Sequence, residues 1–239
     1  MPPETHMTTP SMYQLLSVLL TYPEPDLLDA LPELDQALDA TPAARERLAP
    51  LLTTLREADL ITLQEHYVAT FDRNPSHALH LFEHVHGESR DRGQAMVDLI
   101  DEYRKYGVEP ADSELPDYVP LFLEVLGYME ATGHGAEATA LLGDAIHVLA
   151  AIAERLTRDG THYAGIFDVL LTLSDVQPQP LTEPPVRDMD EAMEHFGPGA
   201  DGVEPLLRPT LSAEQPVQFH PHKAARPTPA QPSSHASLT

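Results

Sequence analysis

The sequence predicts an all-α protein: a single bundle of about eight or nine helices, followed by an extended, proline-rich tail. Three observations lead to this. Apolar residues, most of them leucine, recur at three- and four-residue spacing through nearly the whole chain before Ser174. No stretch alternates β-branched and polar residues as a half-buried strand does. From Gln177 to Thr239 the chain carries 12 of its 24 prolines, few aromatics and no sustained apolar period. Such a stretch buries too little apolar surface to offset its ordering entropy. The expected division is therefore a helical domain over residues 1–175 and a largely disordered tail over 176–239, in which residues 188–196 and 216–222 are short pieces able to dock.

The helices follow in order. Ser11 and Gln14 fit a capping box, with Leu15, Leu16, Leu19 and Leu20 on one face behind it. Leu27, Leu28, Leu31, Leu34 and Leu38 continue the period, and Pro32 among them predicts a break or a kink. Thr41 and Pro42 read as N-cap and first helical residue, ahead of Leu48, Leu51, Leu52 and Leu55. Asp59 caps a helix carrying Leu60, Leu63, Tyr67 and Phe71. Gly87 ends a histidine-rich helix, and Ser89 caps a next one that buries Met96, Val97, Ile100 and Tyr103. A long stripe from Ala138 to Leu156 stops before Gly160, and Thr161 opens the last helix, with Ile166, Phe167, Leu170 and Leu171. There is no internal repeat.

Composition excludes several functions. Against 38 acidic residues stand 14 Lys and Arg, a formal charge of -24. So acidic a surface repels phosphate backbones and anionic lipid and attracts basic peptides. The absence of cysteine removes disulfides, iron–sulfur clusters, thiolate zinc sites and a cysteine nucleophile. The first ten residues lack the basic and apolar regions of a signal peptide. No apolar run approaches the roughly 20 residues of a membrane helix. The expectation is a cytoplasmic protein that contacts neither nucleic acid nor the membrane interior.

His80, Glu83 and His84 spell H-x-x-E-H, the ligand and base pattern of an inverted zinc protease. On one helix the two histidines would stand a turn apart, with His77 three residues further back. A catalytic zinc needs a third protein ligand and an oriented second shell, which the pattern does not identify. A zinc hydrolase is therefore the alternative reading; no metal and no cofactor are expected. Arg90 and Arg92 flank Asp91 at a helix start, where positive charge is unfavourable. They are expected to pair with carboxylates such as Asp91 or Glu83, or to hold a partner.

The stretch LFEHVHGESRDRGQAMVDLIDEYRKYGV, residues 81–108, resembles the signature of the NarJ family, the delta subunit or assembly chaperone of respiratory nitrate reductase, among the TorD-like chaperones of molybdoenzymes. Similar family segments are LLSVLLTYPEPDLL at 15–28, YVATFDRNPSHALHLFEHVHG at 67–87, ELPDYVPLFLEVLGYM at 114–129, YAGIFDVLLTLS at 163–174 and EQPVQF at 214–219. The resemblance spans nearly the whole chain, weakest over 32–55 and 177–213. Two departures stand out: Tyr118 occupies a place where the family often has histidine, and the family pattern does not require His80.

The resemblance implies a chaperone and not an enzyme. It would bind the N-terminal segment of the catalytic, molybdenum-containing subunit of nitrate reductase. It would then hold that apoprotein for molybdenum-cofactor insertion and be absent from the finished enzyme. Proteins of molybdenum-cofactor biosynthesis are further candidate partners; a permanently bound structural subunit is the other alternative. The client-binding residues expected are Tyr67, Phe71 and Phe82 as groove aromatics, and His84 and His86 as polar, pH-responsive contacts. Glu83, Arg90 and Arg92 are expected at the helix junction, and Asp117 and Glu124 as partners for client cations. No catalytic residue is expected.

Overall fold

A computed structural model describes residues 10–86, 90–111 and 114–181, with Arg90 described by its backbone alone. Nine α-helices lie among them, with no strand. Helix α1, Met12–Leu19, starts on the expected capping box: the Gln14 N–H donates to Ser11 Oγ and the Ser11 N–H to Gln14 Oε1. Its buried face meets the later helix α7, Val119–Ala131, where Ser17 Oγ donates to the Pro120 carbonyl at 2.8 Å. Helix α2, Pro25–Ala37, runs through Pro32 without a break. The lost backbone hydrogen bond and ring clash cost about 3 kcal/mol in an isolated helix. Burial of Leu27, Leu31 and Leu34 in the bundle outweighs them. Helix α3, Pro42–Glu57, likewise contains Pro50 and buries its leucines, while the Thr41 side chain makes no capping bond.

Helix α4, Leu60–Tyr67, is capped by Asp59, which accepts from the Thr62 N–H at 3.1 Å, and it continues as a π turn over Val68–Asp72. A 3-10 turn, Pro75–His77, follows. The expected helix through His80 is shorter: α5 is Glu83–His86, and His80 sits in extended backbone, bridged antiparallel to Tyr118. In α6, Arg90–Lys105, the buried face matches the expected one only at Tyr103. Leu99 and Tyr103, one turn apart, are buried, whereas Val97 is half exposed and Met96 and Ile100 are intermediate. Tyr103 fixes that rotation by donating its hydroxyl to the Pro116 carbonyl at 2.8 Å.

Helix α8, Gly135–Arg158, buries Ala138, Leu142, Ile146, Leu149, Ile152 and Leu156 completely and packs against α7 and α9. By length and composition it would reach across a bilayer, but its apolar stripe is spent inside the bundle. It ends as expected before Gly160, whose φ of 70° turns the chain. Helix α9 is Ala164–Thr172, beginning after a turn at Thr161 instead of at Thr161 itself; there Thr161 Oγ accepts from the Tyr163 N–H. Gly165 lets α9 approach α3, since a Cβ there would fall 2.3 Å from the Arg47 carbonyl oxygen. After α9, Val176 lies against Gly143, the Gln179 N–H donates to His147 Nδ1 at 2.9 Å, and Leu181 packs on the core. The two tail pieces at 188–196 and 216–222 lie outside the described residues.

Candidate functional site

The π turn after α4 gathers aromatic side chains. It sets Phe71 four residues past Tyr67, with ring centroids 4.9 Å apart, and leaves Asp72 at the surface. Tyr67 is buried; its hydroxyl donates to the Leu20 carbonyl at 3.0 Å and lies 3.4 Å from the Tyr118 hydroxyl. Tyr22, from the Tyr-Pro break after α1, stands edge-on to Tyr67 at 5.5 Å, and Tyr163 closes the cluster from behind.

The facing wall is residues 75–83, which belong to no long helix. They are tied to the start of α7 by main-chain bonds: Val119 N–H to Leu79 O at 2.8 Å and Leu81 N–H to Asp117 O at 3.1 Å. Asp117 adds its side chain, Oδ2 accepting from the Phe82 N–H at 3.0 Å. Between the two sides opens a pocket of about 510 Å³, lined by Tyr22, Tyr67, Phe71 and Tyr118, by the apolar Pro75, Ala78 and Leu79, and by His80, Asp72 and Glu83. Burial raises the hydroxyl pKa values of Tyr67 and Tyr118, so both stay neutral donors. Glu83 is bridged to Arg92 at 3.1 Å at the junction of α5 and α6. The pocket thus offers ring faces and two carboxylates, which suits an apolar segment with a cation beside it.

Three of the expected site residues, Tyr67, Phe71 and Glu83, meet in this pocket. The others lie elsewhere. Phe82 is half-buried against the core, with His86 edge-on to it at 5.9 Å. His84 is buried behind the wall, and Asp117 is fully buried beneath it. Arg92 holds Glu83, Glu124 is exposed on α7 outside the pocket lining, and the Arg90 side chain is outside the described residues. Periodicity singled out neither Tyr22, Asp72, His80 nor Tyr118, which line the pocket from turns and extended backbone. The Tyr-Pro and Phe-Asp segments and the Tyr118 departure were the available signals.

The geometry also bears on H-x-x-E-H. His80 and His84 do not share a helical face, because His80 precedes α5 in extended backbone. Both ring nitrogens of His84 have protein partners: Nε2 donates to the Ala78 carbonyl at 2.7 Å, and Nδ1 accepts from Arg155 at 3.1 Å. Neither nitrogen offers a metal a lone pair in this arrangement.

Comparison with known proteins agrees with the fold and extends it. A solved structure from Archaeoglobus fulgidus, described as a redox enzyme maturation protein, shares the fold at a TM-score of 0.51 and 22% identity, over 71% of this chain and 94% of that one. The chain is 34% identical over 213 residues to the nitrate reductase molybdenum cofactor assembly chaperone NarJ of Escherichia coli, covering 87% of this chain and 85% of NarJ. It is 39% identical over 165 residues to the chaperone described as NarW of the same organism, 67% of each chain. The family model for the nitrate reductase delta subunit matches residues 31–168, more than half of the chain, from the second helix to the last. On that match and those identities, the chain belongs to the nitrate reductase delta subunit family.

Proposed function

We propose that the protein is a cytoplasmic chaperone, without catalytic activity, that holds the apo form of the molybdenum-containing subunit of nitrate reductase while its cofactor is inserted. The pocket between the π turn and the 75–83 wall receives that subunit's N-terminal segment. The observation that carries this reading is the pairing of four aromatic rings with Asp72 and Glu83 in one cleft of a strongly acidic chain. The names of its relatives as nitrate reductase molybdenum cofactor assembly chaperones supply the client class. An amphipathic helix that sets apolar anchors against the rings and a Lys or Arg beside the carboxylates matches this lining. Proteins of cofactor biosynthesis are secondary partners on the same reading, meeting the chaperone–client complex instead of the empty pocket.

Calorimetry with a synthetic peptide of the client's N-terminal segment tests it. Tyr22 lines the pocket and is 41% exposed, so it contributes contact surface without carrying the core. Tyr22→Ala is expected to weaken binding by roughly thirtyfold, the ~2 kcal/mol of an aromatic anchor, with the melting temperature little changed. Unchanged affinity in Tyr22→Ala together with Asp72→Asn would place the client elsewhere.

A further inference from the structure

The 75–83 wall has almost no regular structure of its own: one 3-10 turn and an isolated bridge. Part of what fixes it comes from the last turns of α8, more than seventy residues away. Arg155 Nη1 donates to the Ser76 carbonyl and to His84 Nδ1, each at 3.1 Å. His84 then reaches back with Nε2–H to the Ala78 carbonyl at 2.7 Å. One guanidinium so ties both ends of the wall, and the imidazole ties its middle. A turn later Asp159 Oδ2 lies 2.9 Å from His77 Nε2, at ion-pair distance though outside hydrogen-bond geometry. Neither Arg155 nor His84 lines the pocket, whereas Pro75, Ala78, Leu79, His80 and Glu83 do.

We propose that Arg155 is a positioning residue of the client pocket, acting through His84 and the Ser76 carbonyl to hold the 75–83 wall in its binding shape. This rests on the pocket being the client site. Its physical basis is preorganisation: apart from the bridge to Tyr118, the wall has no ladder or long helix to hold it. Whatever order Arg155 does not supply must therefore come from the client, and that ordering subtracts from affinity. The network also fixes the His84 tautomer. Because Nδ1 accepts from Arg155, the proton sits on Nε2. A glutamine amide reproduces that donor and acceptor pair, whereas a phenylalanine keeps the ring and loses both.

The experiment uses the full chain, hydrogen exchange over residues 75–84, and calorimetry with a synthetic peptide of the client's N-terminal segment. Arg155→Met and His84→Phe are each expected to speed exchange in that segment and weaken peptide binding by about tenfold, with His84→Gln close to the unsubstituted protein in both. Exchange unchanged in Arg155→Met, or His84→Gln as impaired as His84→Phe, would overturn the proposal, since bulk packing alone would then explain the site. If Arg155→Met loses its cooperative melt, Arg155→Lys, which keeps a donor and the charge, decides: intermediate exchange confined to 75–84 supports the proposal, and exchange unchanged there overturns it. A protein that binds no peptide, yet shows the expected exchange pattern, would refute the client reading and leave the role of Arg155 in shaping the wall standing.

Discussion

Asp117 shows at the scale of one residue what the pocket wall requires. It is fully buried; Oδ2 accepts from the Phe82 N–H, and Oδ1 has no hydrogen-bond partner among the described residues. Burial raises its pKa above the usual carboxylate value, although the Phe82 N–H, His80 and Arg92 act in the other direction. A carboxyl whose folded pKa is raised contributes most stability below its unfolded value and loses that contribution as pH rises through the folded one. Asp117→Asn keeps an acceptor for Phe82 and cannot ionise. Its stability relative to the unsubstituted protein is therefore expected to improve as pH rises from about 4 toward neutrality. Denaturant melts at several pH values check this; a constant difference would mean that Asp117 does not titrate differently on folding. Asp117→Ala strands the Phe82 N–H and is expected to be about 1–3 kcal/mol less stable than Asp117→Asn at every pH, since neither variant ionises there, read from the same melts.

At the scale of elements, close helix approach depends on two glycines. A Cβ at Gly165 would fall 2.3 Å from the Arg47 carbonyl oxygen, a backbone atom of α3 that cannot swing aside. Gly165→Ala must push α9 from α3, at about 1–3 kcal/mol, or a fall of roughly 2–10 °C in melting temperature for a chain of this size. At Gly127 the nearest atoms belong instead to the Gln14 and Ser11 side chains, 2.6 and 2.9 Å away. Gly127→Ala is therefore expected to disturb the capping box of α1 and cost less, nearer 1 kcal/mol. Calorimetric melts of the two variants give the ranking; a larger loss at Gly127 would show that the Gln14 side chain cannot move.

For the whole molecule, the formal charge of -24 acts over distances that single contacts do not. A cationic client should associate more slowly as salt rises from low ionic strength, since screening shortens to about 8 Å at physiological values, while dissociation changes little. Stopped-flow rates against salt test this, and an association rate independent of salt would remove the charge from the recognition mechanism. The body also has a testable edge. Val176 and Gln179 lie along α8, and Leu181 packs on the core. A chain ending after residue 181 is expected to keep a cooperative melt. One ending after residue 175 should melt a few degrees lower, for about 1 kcal/mol of lost apolar contact.

By itself the sequence determined most of the helices, though not α7, and the buried stripes of α1, α3 and α8, because a 3.6-residue period and a capping box are local chemistry written at fixed spacing. It also carried the family in its 81–108 and 114–129 stretches. What it could not determine is where the chain departs from that period. Pro32 predicts a break or a kink, of which tertiary burial overrides the break, and the face of α6 turns on one long-range bond from Tyr103 to Pro116. The pocket is decided the same way. Tyr67, Phe71 and Glu83 were legible, but Tyr22 reaches the pocket by standing against Tyr67, and His80 and Tyr118 by the bonds that tie residues 79–82 to Asp117 and Val119, with Arg155 of α8 bonding Ser76 and His84 on either side. Those partners lie tens of residues away. Which backbone group they satisfy is settled only when the bundle has closed and the alternative partner, water, has been excluded.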